Sequence, residues 1–524
     1  MTLSLSRPSH LPARVRWFWP QIALLLAYLA LRLHRLTLYP AFMDEVFHLR
    51  WAWDTLALHP FGGFPDGKIL IPWVLAPFLP TAHALWVGRA AIALIGVGGL
   101  AALLALGRAL LGRPAALLAG MGYLVLPFAF FFERLAMADP LAASLGLIAA
   151  WLIVAALRSR GRWLPGLAGV ALALAILAKL PMIAYLAVPA LGWLLLGASP
   201  PNPLSTSGEG EASCRAAWPV LGRIYAVCLA ALVIVIVPGV LRVGSFGIAR
   251  AQGGNLVRAD LVGLPGRIAA NLSVSIGWLG AALTWPLLAL GGAGLVWALV
   301  RRERGALFVA ALALLGWGEF WALSTHLLPR YFLPGAAAWL LLGAAMAVWG
   351  IKQIAALGQV GRWLAALVAL VTLTGVLTPL IRFVHVAYTE PARLPLPEYD
   401  RHDYIVGITS GYGVEEAARF LAGQAAGSPG VTAICIAAIT CDWLNVYLMT
   451  TPGVALERTD MLTPAWLAGE VAAGRSVYLA DDDPPQLERY DPGPEYRVVR
   501  ALRFERPGGA TAFTLRQIVP AEGP

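Results

Sequence analysis

The stretch YPAFMDEVFHLRWAWDTLALHPFGGFPDGKILIP, residues 39–72, decides how the chain is read. It follows the first long apolar segment and holds Asp44, Glu45, His48, Arg50, Asp54, His59, Asp66 and Lys68. Only 13% of the chain is charged, so such a cluster beside membrane needs a reason. The expectation is that it forms the chemical face of a membrane enzyme, held at the bilayer surface by the apolar segments around it.

Composition supports that frame. Of 524 residues, 59% are hydrophobic, and mean hydropathy is +0.71. Soluble chains sit near about 45–50% apolar and about 25% charged. The chain therefore reads as a multi-spanning α-helical membrane protein with a smaller polar part. Its net charge of +10 fits arginines placed in short loops beside apolar spans. No basic stretch interleaves with aromatics, which excludes nucleic-acid binding. No GxxxxGK[ST], HExxH, GxSxG or EF-hand loop is present, so nothing points to ATP or zinc-hydrolase chemistry. The four cysteines lack zinc spacing. Cys214 and Cys228 read as packing residues. Cys435 and Cys441 have two readings: a disulfide, if the tail is extracytoplasmic, or two free thiols.

Hydropathy marks about eleven spans: Trp17–Leu38, Ala84–Leu111, Ala115–Phe132, Pro140–Leu157, Leu164–Leu177, Pro181–Leu196, Ala217–Val243, Leu272–Val300, Ala306–Leu323, Tyr331–Trp349 and Trp363–Val384. The first follows Arg7, Arg14 and Arg16; it is too long for a signal-peptide core and is kept as a span. With the N-terminus in the cytoplasm, every inside loop is basic: Arg108 and Arg113; Arg158, Arg160 and Arg162; Arg215 and Arg223; Arg301, Arg302 and Arg304; Lys352 and Arg362. The mixed-charge segments and the polar tail then fall outside together. That coincidence predicts one extracytoplasmic site on a multi-pass protein of the inner cell membrane. The Pro200–Ser213 connector carries no evident chemistry. Gly244–Arg267, with Arg250, Arg258 and Asp260, has the length of a cover over the site. Asn271-Leu272-Ser273 matches a glycosylation sequon at the membrane edge and carries no weight.

Two domains are expected, a transmembrane catalytic domain over 1–385 and an extracytoplasmic α/β domain over 386–524. After a Pro- and charge-rich linker, the tail alternates helices (Val414–Ala425, Asp442–Met449, Pro464–Ala473) with strands (Val431–Ala437, Ser476–Leu479, Tyr496–Phe504, Ala512–Ile518). Gly411 and Gly413 read as a turn before a helix.

Three constellations carry candidate chemistry. Asp44, with Glu45 beside it, suits a general base, or oxygen ligands for a divalent cation; pairing with Arg50 is the competing reading. In FFERLAMADP, residues 131–140, charge between spans must lie at an edge or pair in a cavity. Arg134 and Asp139 are five apart, so they do not stack on a helix. Asp139 before Pro140 reads equally as a helix cap and as a functional group. The third set is cationic: Lys68, Lys179, Arg330 and Arg258. Arginine's fork and lysine's point charge suit an anionic lipid headgroup such as a polyprenyl phosphate. Snorkelling is the competing reading, strongest for Lys179. His326 in HLLPRYFLP is placed to bridge to phosphate or carboxylate, and Tyr331 beside Arg330 fits an aromatic belt.

The set resembles the C-type membrane glycosyltransferases (GT-C), in particular bacterial relatives of protein O-mannosyltransferases and of the lipid A aminoarabinose transferase. Four pieces carry the resemblance: Asp44-Glu45 in the first outside loop, Arg134-x-x-x-x-Asp139-Pro140, Lys68 at that loop's end, and Arg330-Tyr331-x-x-Pro334. It spans about residues 15–385. It implies transfer of a sugar from a polyprenyl-phosphate-linked donor to an extracytoplasmic protein, glycan or lipid, with no cofactor unless a divalent cation takes part. Asp44 and Glu45 would be catalytic. Lys68, Arg134, Asp139, His326, Arg330 and Tyr331 would bind substrate, with Lys68 and Arg330 on the leaving phosphate. Lys68 stands in DGKILIP, where the family pattern is Lys-Pro-Pro. SGYGVEEAARFL resembles extracytoplasmic domains appended to some bacterial members. A transporter or flippase of lipid-linked sugars is the alternative. It would place charges mid-span and show internal repeats.

Overall fold

The computed structural model describes residues 13–159, 161–197, 209–244, 262–435, 438–458, 464–483 and 494–521. The expected cover over 245–261, most of the connector near 200–208, and the Cys214 side chain lie outside the described residues.

Among the described residues, seven helices are long and apolar enough to cross a membrane. They are Ala84–Leu110, Ala138–Arg158, Leu180–Gly197, Trp218–Val243, Arg304–Leu323, Pro329–Ala355 and Gln359–Thr389. An eighth is counted if Leu264–Leu283 and Trp285–Arg301 form one span, but that pair is bent by 112°. The sequence suggested one continuous span there. The break follows from Thr284, at φ 69°, and from Pro286, which starts the second helix. Phe18–Leu33 and Leu164–Ala178 are apolar but shorter. The expected span Ala115–Phe132 is two helices, Arg113–Val125 and Pro127–Phe132, divided at Leu126-Pro127. The structure thus confirms a mostly helical membrane protein but not the count of eleven.

The helix ends sort by charge. Arg158 donates to the Ala109 carbonyl (2.8 Å) and Arg223 to the Arg162 carbonyl (3.0 Å), so several basic loops meet at one end of the bundle. Asp139 stands in the first turn of Ala138–Arg158, and Arg158 in its last. At about 1.5 Å per residue, some ~28 Å separate them. The acidic segments gather at Asp139's end. One charge network closes the core near that end. Arg32 and Glu133 pair at 3.0 Å, both buried, and the Tyr123 hydroxyl donates to Glu133 at 2.6 Å. A buried carboxylate needs such partners.

The tail folds as an α/β unit, as the alternating pattern predicts. Strands β1 (Val431–Cys435), β2 (Val454–Arg458), β3 (Ser476–Asp483), β4 (Tyr496–Glu505) and β5 (Ala512–Pro520) lie in the order β2-β1-β3-β5-β4. The first three are parallel, with Val431 beside both Val454 and Ser476. The last two add an antiparallel hairpin. Edge strand β2 is an addition to the sequence reading: its five residues are half-buried or exposed and show no clear alternation. Cys435 and Cys441 form a disulfide, which settles their two readings. Cys228 is buried and free, as a packing residue should be.

Candidate active site

The quoted stretch folds into a helix, Met43–Leu56. Phe42 caps it in extended conformation, and the Glu45 carboxylate reaches back to accept the Phe42 N–H at 3.1 Å. Successive residues on a helix point about 100° apart. Adjacent Asp44 and Glu45 therefore face different surroundings.

Glu45 faces away from any cavity. Arg89 grips it at 2.8 and 2.6 Å, and the Ala136 N–H donates to it at 2.6 Å. Arg89 also donates to the carbonyls of Leu36, Tyr39 and Pro40. Glu45 and Arg89 are both fully buried, and together they staple residues 36–45 to the bundle. Its oxygens are already occupied, which sets Glu45, expected to be catalytic, apart from Asp44. Glu45→Ala strands the Arg89 charge. It is expected to cost about 3–5 kcal/mol of stability, seen as a lower melting temperature in detergent; an unchanged melt would refute the staple.

Asp44 faces the other way. Its Oδ2 accepts from Lys68 Nζ at 3.2 Å and from Arg330 at 3.1 Å. Its Oδ1 has no partner among the described residues. Burial raises its pKa, but Lys68 and Arg330 outweigh that and hold the carboxyl well below the usual range. One turn on, His48 Nδ1 lies 2.8 Å from the Ala136 carbonyl, so Nδ1 carries the proton. Burial pulls the His48 pKa down to about 3, leaving it neutral.

Two backbone hydrogen bonds explain why Lys68 and Lys179 are neighbours. Ile69 N–H donates to the Leu177 carbonyl and Leu180 N–H to the Gly67 carbonyl, each at 3.0 Å. Lys179 pairs with Asp139 and lies 4.0 Å over the Tyr331 ring. Arg330, in the turn Pro329–Phe332, places its Nε 4.0 Å from Asp139 Oδ2. Asp139 is not the cap, since Met137 holds that position without a side-chain bond. Tyr331 stacks on Phe320 at 4.9 Å between ring centres.

These groups share one cavity of about 460 Å³. Its polar lining is Asp44, Asp66, Lys68, Asp139, Lys179, Glu319, Ser324, Arg330 and Tyr331; its apolar lining is Leu180, Pro181, Ile183, Phe320 and Leu323. The size and mixed lining suit a small ligand with an apolar attachment. Of the candidates, Asp44, Lys68, Asp139, Arg330 and Tyr331 converge there. Arg134 does not: it is buried over the Phe130 and Tyr388 rings and donates to the Arg35 carbonyl at 2.8 Å. His326 is exposed, 3.3 Å from the Tyr399 hydroxyl, and does not line the cavity. These two, expected to bind substrate, lie away from the cavity lining. Arg134 spends its charge on packing, and His326 stands outside the rim.

Sequence reasoning undervalued Lys179 and passed over Glu319. A lone carboxylate within an apolar run was the available signal for Glu319. Among the described residues, no group of three or more His, Cys, Asp or Glu side chains is arranged to hold a metal.

The profile of a family described as dolichyl-phosphate-mannose-protein mannosyltransferase matches residues 65–207. Comparison with curated protein sequences gives no match. Among solved structures, ArnT from Cupriavidus metallidurans bound to undecaprenyl phosphate superposes with a TM-score of 0.52 at 15% identity, covering 96% of this chain and 98% of that one. The same protein in its apo state gives 0.52 at 16% identity with the same coverage. The chain has the fold of ArnT. The archaeal oligosaccharyltransferase AglB from Archaeoglobus fulgidus, in complex with an inhibitory peptide and a dolichol-phosphate, is similar over less of its length, with a TM-score of 0.50 at 12% identity over 89% of this chain and 70% of that one. The matched segment 65–207 includes Lys68, Asp139 and Lys179, while Asp44 and Arg330 reach the cavity from outside it.

Proposed function

We propose that this protein transfers a sugar from a polyprenyl-phosphate-linked donor to an extracytoplasmic acceptor. The observation that carries the reading is the meeting of Asp44 and Arg330, far apart in sequence, with Lys68 on the wall of one cavity. The basic end of the bundle is assigned to the cytoplasm, which puts the cavity and the tail outside.

The chemistry follows from the lining. The donor's phosphate enters beside Lys68, Lys179 and Arg330, and its lipid lies along the apolar side. An acceptor O–H or N–H attacks the anomeric carbon. The carbon–oxygen bond to phosphate breaks, and its electron pair leaves on the phosphate. The acceptor proton passes to Asp44 Oδ1. Negative charge grows on the leaving oxygen in the transition state, where fixed cations are most effective.

With three side-chain cations at the leaving group, transfer is expected to proceed without a divalent ion. Activity in excess chelator should stay within about twofold of the untreated rate; loss restored by added metal would assign a cation to the site.

The deciding experiment reconstitutes the protein in vesicles with a radiolabelled polyprenyl-phosphate sugar and a mixture of acceptors. Label moving from lipid to acceptor, with free polyprenyl phosphate released, supports the transferase. Label that changes leaflet but stays on its lipid establishes the transporter instead.

A further inference from the structure

Between the last membrane helix and the tail helix Val414–Ala426, the chain runs as four short turns: Pro391–Arg393, Glu398–Arg401, His402–Val406 and Ile408–Ser410. This strap crosses back over the site. Its Tyr404 is 4% exposed, and its ring packs on Phe42, Phe131 and Phe132 at 4.1, 5.2 and 5.7 Å between centres. The Tyr404 hydroxyl accepts a hydrogen bond from Arg330 at 2.9 Å. One terminal nitrogen of Arg330 is therefore on Asp44 and the other on Tyr404. Its Nε is buried and makes no hydrogen bond among the described residues. A planar fork held at both tips has one orientation.

The tail holds the strap in turn. Thr511 donates to the Val406 carbonyl at 2.8 Å, and Arg506 to the Ile408 carbonyl at 3.4 Å. Arg506 is itself fixed by Asp482 at 2.5 Å, inside the sheet. The tail helix Ala438–Leu448 grips the start of the Asp44 helix. Trp443 donates to the Ala41 carbonyl (2.9 Å), Ala41 N–H donates to the Tyr447 hydroxyl (3.0 Å), and Arg50 pairs with Asp442 (2.9 Å). Gly411, at φ 73°, runs so close that a Cβ there would strike the Ala41 carbonyl.

We propose that Tyr404 is a positioning residue and that the tail, through the strap, sets the Arg330 guanidinium against Asp44 and the leaving phosphate. The inference rests on the transferase reading above. Burial pushes the Asp400 carboxyl up to about 8, so near neutrality it is uncharged and does not compete with phosphate for Arg330.

The test uses the full-length protein in vesicles with the same labelled donor. Wild-type protein is assayed first: no transfer there ends the transferase reading, whatever Tyr404 does. With wild type active, Tyr404→Phe keeps the ring packing and loses only the hydroxyl. Its kcat should fall on the order of 10-fold, with a smaller change in donor KM and the melting temperature of wild type. Arg330→Lys replaces the rigid fork with a rotatable point charge and should also be slow. Adding Tyr404→Phe to Arg330→Lys should then cost nothing further, because the hydroxyl acts through the fork. Wild-type kcat in Tyr404→Phe overturns the proposal, and so does a full second loss in the double variant. Should Arg330→Lys be inactive, kcat and melt of Tyr404→Phe decide alone.

Discussion

Asp44→Asn is expected to lower sugar transfer by about 100- to 10,000-fold, the usual contribution of a positioned general base. The amide keeps the shape of the carboxylate and its contact with Lys68, so the protein should remain folded. What it loses is the acceptor for the proton released as the new bond forms. Donor binding should survive, because the phosphate supplies the negative charge that Lys68 and Arg330 have lost. The measurement is turnover of labelled donor together with equilibrium binding of the unlabelled lipid phosphate. Wild-type turnover in the variant would remove Asp44 from the mechanism. The sign of the acid dependence also follows. Lys68 and Arg330, against burial, hold the folded-state pKa of Asp44 below its unfolded value. Its contribution to stability is therefore complete above the unfolded value and is lost only as pH falls through the lower folded one.

Arg330→Ala is the second large effect. Removing a fixed donor from a developing oxyanion costs about 100- to 1,000-fold in kcat. The loss here should reach that range, because Arg330 also orders Asp44. Donor KM should move less than kcat, since the interaction strengthens as the phosphate leaves. Arg330→Ala also frees Asp139 and Tyr404 from their shared cation, so thermal stability must be measured alongside the rates. A variant that is folded and as fast as wild type would separate Arg330 from the chemistry.

How far the sequence could be read depends on the kind of signal. Long apolar runs and arginine-rich loops report directly on the bilayer, so the helical bundle and its charged ends were legible. Periodicity also exposed the α/β tail, though short edge strand Val454–Arg458 carries no alternation to find. Adjacency was misleading where phase matters. Asp44 and Glu45 look equivalent as letters, yet the helix turns one toward the cavity and the other into Arg89. Arg134 shares a short motif with Asp139, but its charge lies among the Phe130 and Tyr388 rings. Lys179 looked like an interfacial lysine because its value depends on the pairing of residues 67–69 with 177–180. Such pairings join distant segments and leave no local pattern. The same holds for Tyr404, whose linker reads only as proline and charge.

The strap has a consequence for the order in which the molecule becomes competent. Synthesis runs from Asp44 through the membrane helices to Thr389 before Tyr404 exists, and the threonine and arginine that anchor the strap, Thr511 and Arg506, come later still. A nascent chain thus inserts its whole membrane portion with an unfinished arginine. Until those strands fold against the strap, Arg330 in the inserted portion lacks the Tyr404 hydroxyl that fixes its second tip.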